Sequence, residues 1–383
     1  MPFRPSSRPT WSEIHLNNLK FNFKSVQEFI GPSVKYMAVV KADAYGHGAI
    51  PCAKTLESSG ADWFGVALPE EGAELRHAGI SRPILCLGGF WSGQEELLLA
   101  SDLTPVIFCL KQAEALNRAG HDRGIKAAVH VKVDTGMGRL GVRFDEAAGF
   151  AERLRTCPNL RVQGLMTHFA SADKLEETNF TQLQIDRFND CVQMFREKGL
   201  NPEFVDLANS PASIAYPQSR GNMVRVGGIL YGLGDDVLQA EVEKPPLRPV
   251  MSLHSRISML KHVPAGETLG YGRTFTTARD SLIATIPIGY NDGYRRSFSN
   301  KAEVIVNGMS APVIGRVSMD WTIVDVTGIP DPKLGDEVVL IGEQAGQKVS
   351  AGQLAGVAET ISYEITCGIG RRVPRVYLPA GDS

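Results

Sequence analysis

Short apolar runs rich in Val, Ile and Leu recur up to about position 231, and none alternates with polar residues as a strand with one wet face does. Eight are found, at 37–42, 62–68, 83–88, 104–109, 127–133, 161–168, 203–208 and 223–231. Between them lie amphipathic stretches such as PEEGAELRHAG, KQAEALNRAG and FTQLQIDRFNDCVQMFREKG. Several close on a Gly, the residue favoured just past a helix end. Strand then helix, eight times over, predicts an α/β fold of the (β/α)8 TIM-barrel type. Near 241 the texture changes, and EVEKPPLRPV, charged and proline-rich, predicts a linker. Beyond it SLIATIPIGY, DWTIVDVTG, DEVVLIG and AEVIVNGMSAPVIGR, with its Asn307-Gly308 hairpin signal, carry strand and turn patterns without long helical periods. The expected division is a barrel over 12–241 and a mostly β C-terminal domain over 242–383, with residues 1–11 packing with the latter.

Composition narrows the function classes. Hydrophobic residues make up 43% and charged residues 21%, which fits a globular protein and excludes disordered or fibrous chains. Forty basic residues against 42 acidic ones, with no block of one sign, argue against a nucleic-acid partner. No signal-peptide core and no stretch near the ~20 apolar residues of a membrane span are present, so the reading is cytoplasmic, with no membrane partner. Six cysteines lie far apart with no CxxC, spaced neither for a disulfide framework nor for zinc, and no metal is expected.

In such barrels the active site gathers at the carboxyl ends of the strands. Polar residues just after the apolar runs are Lys41 with Tyr45 and His47, Lys132 with Asp134 and Arg139, His168 with Asp173, Asn209 with Ser210, and Arg225. Lys41 ends the run MAVV, where apolar neighbours disfavour an ammonium and leave an amine able to form a Schiff base. A lysine snorkelling out of a strand end is the plainer reading of that residue alone. Asn209-Ser210 suits a helix cap and a phosphate equally. GMGRLG (136–141) satisfies G-x-G-x-x-G, but it follows the fifth of eight strands and carries Arg139, so a dinucleotide-binding loop is rejected.

AVVKADAYGHG resembles the pyridoxal-phosphate signature of the alanine racemases, and the resemblance runs almost from end to end. It continues in HVKVDTGMGRLG, MTHFASAD, ANS, RVGGILYG, LGYGRTF, IPIGYNDGYRR, GRVSMD and ISYEI. It implies that Lys41 carries pyridoxal 5′-phosphate as an internal aldimine. Lys132 would be carbamylated and face Arg139, which meets the substrate carboxylate. His168 would pack against the cofactor ring, Arg225 face the pyridine nitrogen, and Tyr45, Asn209, Ser210, Gly227, Gly228 and Tyr363 complete the cofactor site. Tyr271 would be the second catalytic residue, with Tyr290, Met319 and Asp320 at the substrate.

The implied reaction is two-base racemisation of alanine, Lys41 handling the proton of the D-isomer and Tyr271 that of the L-isomer. A phenol is a poor base near neutral pH, so Tyr271 calls for a cationic neighbourhood, which Arg225 acting through His168 would give. A guanidinium at the pyridine nitrogen discourages protonation there and weakens the sink, favouring racemisation over transamination. In the resembling family Tyr271, Tyr290, Met319 and Asp320 reach the partner's cofactor, which implies a homodimer with shared sites. Three departures stand out: Val226 for Pro, Gly228 for Ile, and Ser318 for Cys. They leave room for a broader amino-acid racemase. A pyridoxal-phosphate decarboxylase of barrel-plus-β type is the other alternative, and Arg225 speaks against it. D-Alanine supply for peptidoglycan and D-alanine breakdown would use the same chemistry.

Overall fold

The computed structural model describes residues 8–238 and 241–378. Eight strands, Lys35–Val39, Trp63–Val66, Ile84–Cys86, Thr104–Ile107, Ala127–Asp134, Leu160–Met166, Phe204–Asp206 and Met223–Val226, pair in parallel and in chain order. Arg225 lies opposite Met37, so the last strand returns to the first and the barrel closes. Each of the eight apolar runs contributes one strand, because a barrel strand is covered by helices outside and by packed side chains inside.

Met37, Trp63, Leu85, Val106, Met166, Phe204 and Met223 fill the lumen as one buried cluster. His130 completes it, its ring 5.5 Å from Trp63 and 5.9 Å from Phe204. The ring takes the place a side chain would need at Gly164, its register partner on the next strand. Each such side chain contributes roughly 1.5–3 kcal/mol on burial. The lumen is therefore solid, and room for a ligand is left at the strand ends. The helix stops also match the sequence: Leu110–Arg123 ends on Gly124 at φ 66°, a left-handed position that favours glycine.

The second domain is built on an extended, largely antiparallel sheet. Its first strand in the chain is Thr10–His15, which lies between Met251–Arg256 and Arg375–Leu378, with Trp11 opposite His254 and Ser12 opposite Arg375. Residues 12–15, which the sequence pattern places with the barrel, thus belong to this sheet. Asn307 and Gly308 both take positive φ at the tip of the hairpin they signal. Among the described residues no helix is long and apolar enough to cross a membrane.

Candidate active site

A cavity of about 680 Å³ opens at the carboxyl ends of the barrel strands. It brings together Lys41, Tyr45, Lys132, Arg139, His168, Asn209, Ser210, Arg225 and Gly227 from the barrel, with Tyr363 from the second-domain helix Ser362–Cys367. The barrel residues meet because they lie at or just beyond the carboxyl ends of five different strands.

Lys41 opens onto this cavity from an unusual backbone. The four residues after it, Ala42, Asp43, Ala44 and Tyr45, have φ of 52–55°, a left-handed turn made without glycine. Such a turn costs about 1–2 kcal/mol per residue and has to be held by its surroundings. Glu71 accepts the Ala42 N–H at 2.8 Å and the Ala67 N–H at 2.7 Å. Asp43 accepts the Ala49 N–H at 2.7 Å. His47 Nδ1 donates to the Ala44 and Tyr45 carbonyls at 2.9 and 3.0 Å. His47 therefore locks the turn from behind and does not line the cavity. The turn sends both Lys41 and Tyr45 into it. Burial, followed by the nearby Arg139 guanidinium, lowers the Lys41 ammonium from its ordinary value.

Arg225 is buried, and its five donors can be accounted for. Nη1 donates to the carboxylate and the carbonyl of Asp206. Nη2 donates to the carbonyls of Thr167 and Leu207 at 2.8 and 3.2 Å, and to His168 Nδ1 at 3.3 Å. Among the described residues Nε is left without a partner, so the guanidinium offers a ligand one N–H. Because His168 Nδ1 accepts, the neutral ring carries its proton on Nε2. Burial first, then Arg225, pushes His168 well below its ordinary value and keeps it neutral. Asp206 was not singled out from the sequence. An acid inside the apolar run EFVDLA was the available signal, since a buried carboxylate requires a cationic partner.

At the other end of the cavity, Gly227 donates its N–H to Ser210 Oγ at 2.9 Å. A Cβ on Gly227 would overlap the Tyr45 hydroxyl, and one on Gly228 would overlap the Tyr363 ring. The two glycines thus let two phenols close over bare backbone. Burial pushes both phenols above their ordinary values, so both remain hydrogen-bond donors. Asn209 caps the helix Ser210–Ala215 through Ala212 N–H at 3.1 Å. Gly228 is therefore where Tyr363 needs the room.

Lys132 is buried, and burial together with Arg225, Arg139 and Lys41 lowers its ammonium to about 8. Asp134 is used locally, accepting the N–H groups of Gly136 and Gly138 at 3.0 and 3.1 Å. GMGRLG therefore folds around its own strand end, consistent with the rejection of a dinucleotide loop.

Tyr271, Tyr290, Met319 and Asp320 stand apart. None lines the Lys41 cavity within one chain. They share an exposed face of the second domain: Tyr271 is 69% exposed, and Tyr290 and Met319 are also exposed. The Gly270 backbone rests on Arg316, and Tyr290 and Asn291 donate their N–H groups to the Ser318 and Met319 carbonyls at 3.0 and 3.1 Å. Asp320 accepts from Arg372 at 2.7 Å, which also meets the buried Asp292 at 3.2 Å.

A closed parallel barrel that gathers a desolvated lysine and a buried arginine in a cavity at its strand ends, joined to a β domain, is the architecture of a barrel enzyme. Comparison with known proteins narrows this class. Residues 14–235 match the family model "Alanine racemase, N-terminal domain", and residues 250–377 match "Alanine racemase, C-terminal domain". The chain is 48% identical over 376 residues to an alanine racemase of Halothermothrix orenii, covering 97% of each chain. It is 45% identical over 376 residues to one of Geobacter sulfurreducens, covering 97% of this chain and 98% of that one. Among solved structures, the alanine racemase of Clostridium difficile 630 superposes with a TM-score of 0.92 at 38% identity, covering 99% of this chain and 98% of that one. That of Bartonella henselae, described with covalently bound pyridoxal phosphate, gives 0.87 at 28% identity, covering 97% and 100%. The chain belongs to the alanine racemase family, a family of isomerases.

Proposed function

We propose that the protein interconverts L-alanine and D-alanine with pyridoxal 5′-phosphate, in a cytoplasmic homodimer whose sites each draw on both chains. The observation that carries this reading is the meeting, in one cavity, of a desolvated Lys41 with an Arg225 that offers one N–H. The residues fit the cofactor. Lys41 would hold it covalently, and Ser210, Tyr45, Tyr363 and the bare backbone of Gly227 and Gly228 would hold its phosphate beside the Asn209-capped helix. When bound, the cofactor supplies an electron sink for a carbanion at the substrate Cα.

The chain's own residues do the rest. Arg225 is a donor that cannot give up its proton, so it would hold a ring nitrogen by a hydrogen bond without protonating it. His168, which lines the same cavity, would lie beside the ring. Arg139 binds the substrate carboxylate by charge-assisted hydrogen bonds. A carbamate on Lys132 would turn the repulsion between two cations into an attraction and fix that guanidinium. Lys41, its ammonium lowered from the ordinary lysine value by burial, moves a proton on one face of Cα. The partner's Tyr271 moves one on the other, with His168 Nε2–H available to stabilise its phenolate. The exposed face carrying Tyr271, Tyr290, Met319 and Asp320 supports this shared arrangement.

Incubation of the loaded enzyme with L-alanine in heavy water tests the reading. D-Alanine bearing deuterium at Cα is the expected product. Cα exchange with retention of the L-configuration would overturn it.

A further inference from the structure

Asp206, the last residue of the strand Phe204–Asp206, has no role in the chemistry above beyond its bond to Arg225. Lys132, Met166 and Asp206 are register partners across three adjacent parallel strands. Residues at one height of neighbouring parallel strands point to the same side, and Lys132 and Met166 both line the cavity. Asp206 therefore lies level with them on the lumen side. It is fully buried, its Oδ1 accepts from Arg225, and its Oδ2 has no hydrogen-bond partner. A buried carboxylate oxygen without a donor is costly unless a cation faces it. The cations facing Asp206 are Arg225 and Lys132. Lys132 in turn is faced by the cations Arg225, Arg139 and Lys41, by neutral His168, and by the opposing charge of Asp206.

We propose that Asp206 is a positioning residue with two tasks: it fixes the Arg225 guanidinium, and it is the counter-ion of Lys132, setting how readily that lysine takes up carbon dioxide. In that reaction the lone pair of the neutral amine forms an N–C bond to carbon dioxide. One C=O π pair moves onto oxygen, and the amine proton passes to water, leaving an anionic carbamate. Asp206 stabilises the ammonium and repels the carbamate. Arg139 and Arg225 do the opposite. Asp206 thus holds the modification in check and links Arg225 to Lys132, the neighbour of Arg139.

The proposal rests on the racemase reading only in taking Lys132 as the neighbour of a substrate-binding Arg139. Its test needs no turnover, so the two can fail separately. The carbamate is read by 13C NMR of the loaded enzyme in 13C-bicarbonate, with Lys132→Met identifying the signal. In Asp206→Asn, which keeps an acceptor for Arg225, the pH at which Lys132 is half carbamylated should fall by about one unit. That shift corresponds to about tenfold more carbamate at low occupancy and fixed pH. An unchanged midpoint overturns the proposal. Should Asp206→Asn not fold, the wild-type protein gives the reciprocal measurement. The Asp206 carboxyl 13C resonance, assigned through Asp206→Glu, should titrate at higher pH once bicarbonate is added, and a titration indifferent to bicarbonate overturns the proposal.

Discussion

Tyr363 occupies the volume that a side chain at Gly228 would fill. The aromatic comes from the second domain and the glycine from the end of the last barrel strand, so the two domains meet atom to atom over the proposed phosphate site. Gly228→Ala should force the phenol outward. The expected cost is about 1–3 kcal/mol of stability, as for other overpacked sites, together with weaker cofactor binding. Chemical denaturation and cofactor titration measure the two effects. Gly149→Ala is the control: it lies inside the helix Ala147–Leu154, its Cβ would meet nothing within 4 Å, and it should gain about 0.5–1 kcal/mol. Equal effects at both positions would remove the steric argument.

A shared site predicts complementation between inactive proteins. Lys41→Ala and Tyr271→Ala should each be inactive alone. Mixed under conditions that exchange subunits, they should regain activity, because each mixed pair holds one intact combination. Exchange verified by mass spectrometry with no return of activity would contradict a site built from two chains.

The left-handed turn after Lys41 reverses the usual effect of glycine. Ala42→Gly, at φ 52° and exposed, should leave stability unchanged or raise it by up to about 1 kcal/mol, since glycine takes that conformation freely. Ala115→Gly, in the helix Leu110–Arg123, should lose about 1 kcal/mol. Parallel unfolding curves decide the matter, and similar losses at both positions would contradict the turn.

Two buried histidines make stability fall in acid. Burial depresses His130 to about 3 and His47 to about 4, against 6.5 for the unfolded chain. The neutral ring is the folded form in both cases. The unfolded chain alone gains protons as pH drops below about 6.5, so stability is full above that value and is lost on the way down to pH 4 and 3. Each histidine contributes a slope of up to about 1.4 kcal/mol per pH unit in its window. His130→Phe should flatten the dependence of unfolding free energy between pH 6 and 4, and an unaltered slope would show that His130 does not carry it.

What could be read from the chain, and what could not, has a physical explanation. The barrel strands were legible because a strand buried on both faces needs an unbroken apolar run. The candidate residues followed from the rule that barrel chemistry sits at strand ends. Asp206 escaped because one acid in an apolar run reads as noise until its register with Met166 and Lys132 and its ion pair with Arg225 are known. The turn from Ala42 to Tyr45 escaped because no glycine announces its positive φ; Glu71 and His47 hold it from outside, and Asp43 from within by accepting the Ala49 N–H. Residues 12–15 escaped because their partners lie at 251–253 and 375–378, beyond the reach of any local pattern.

That strand also decides how the molecule can be divided. It precedes the barrel in the chain yet is hydrogen-bonded on both edges inside the other sheet, so no single cut in the 241–250 connection yields two self-sufficient halves. A fragment beginning after the connection would carry a slot one strand wide through its sheet, with two unsatisfied rows of backbone amides facing each other. A barrel fragment would trail the missing piece.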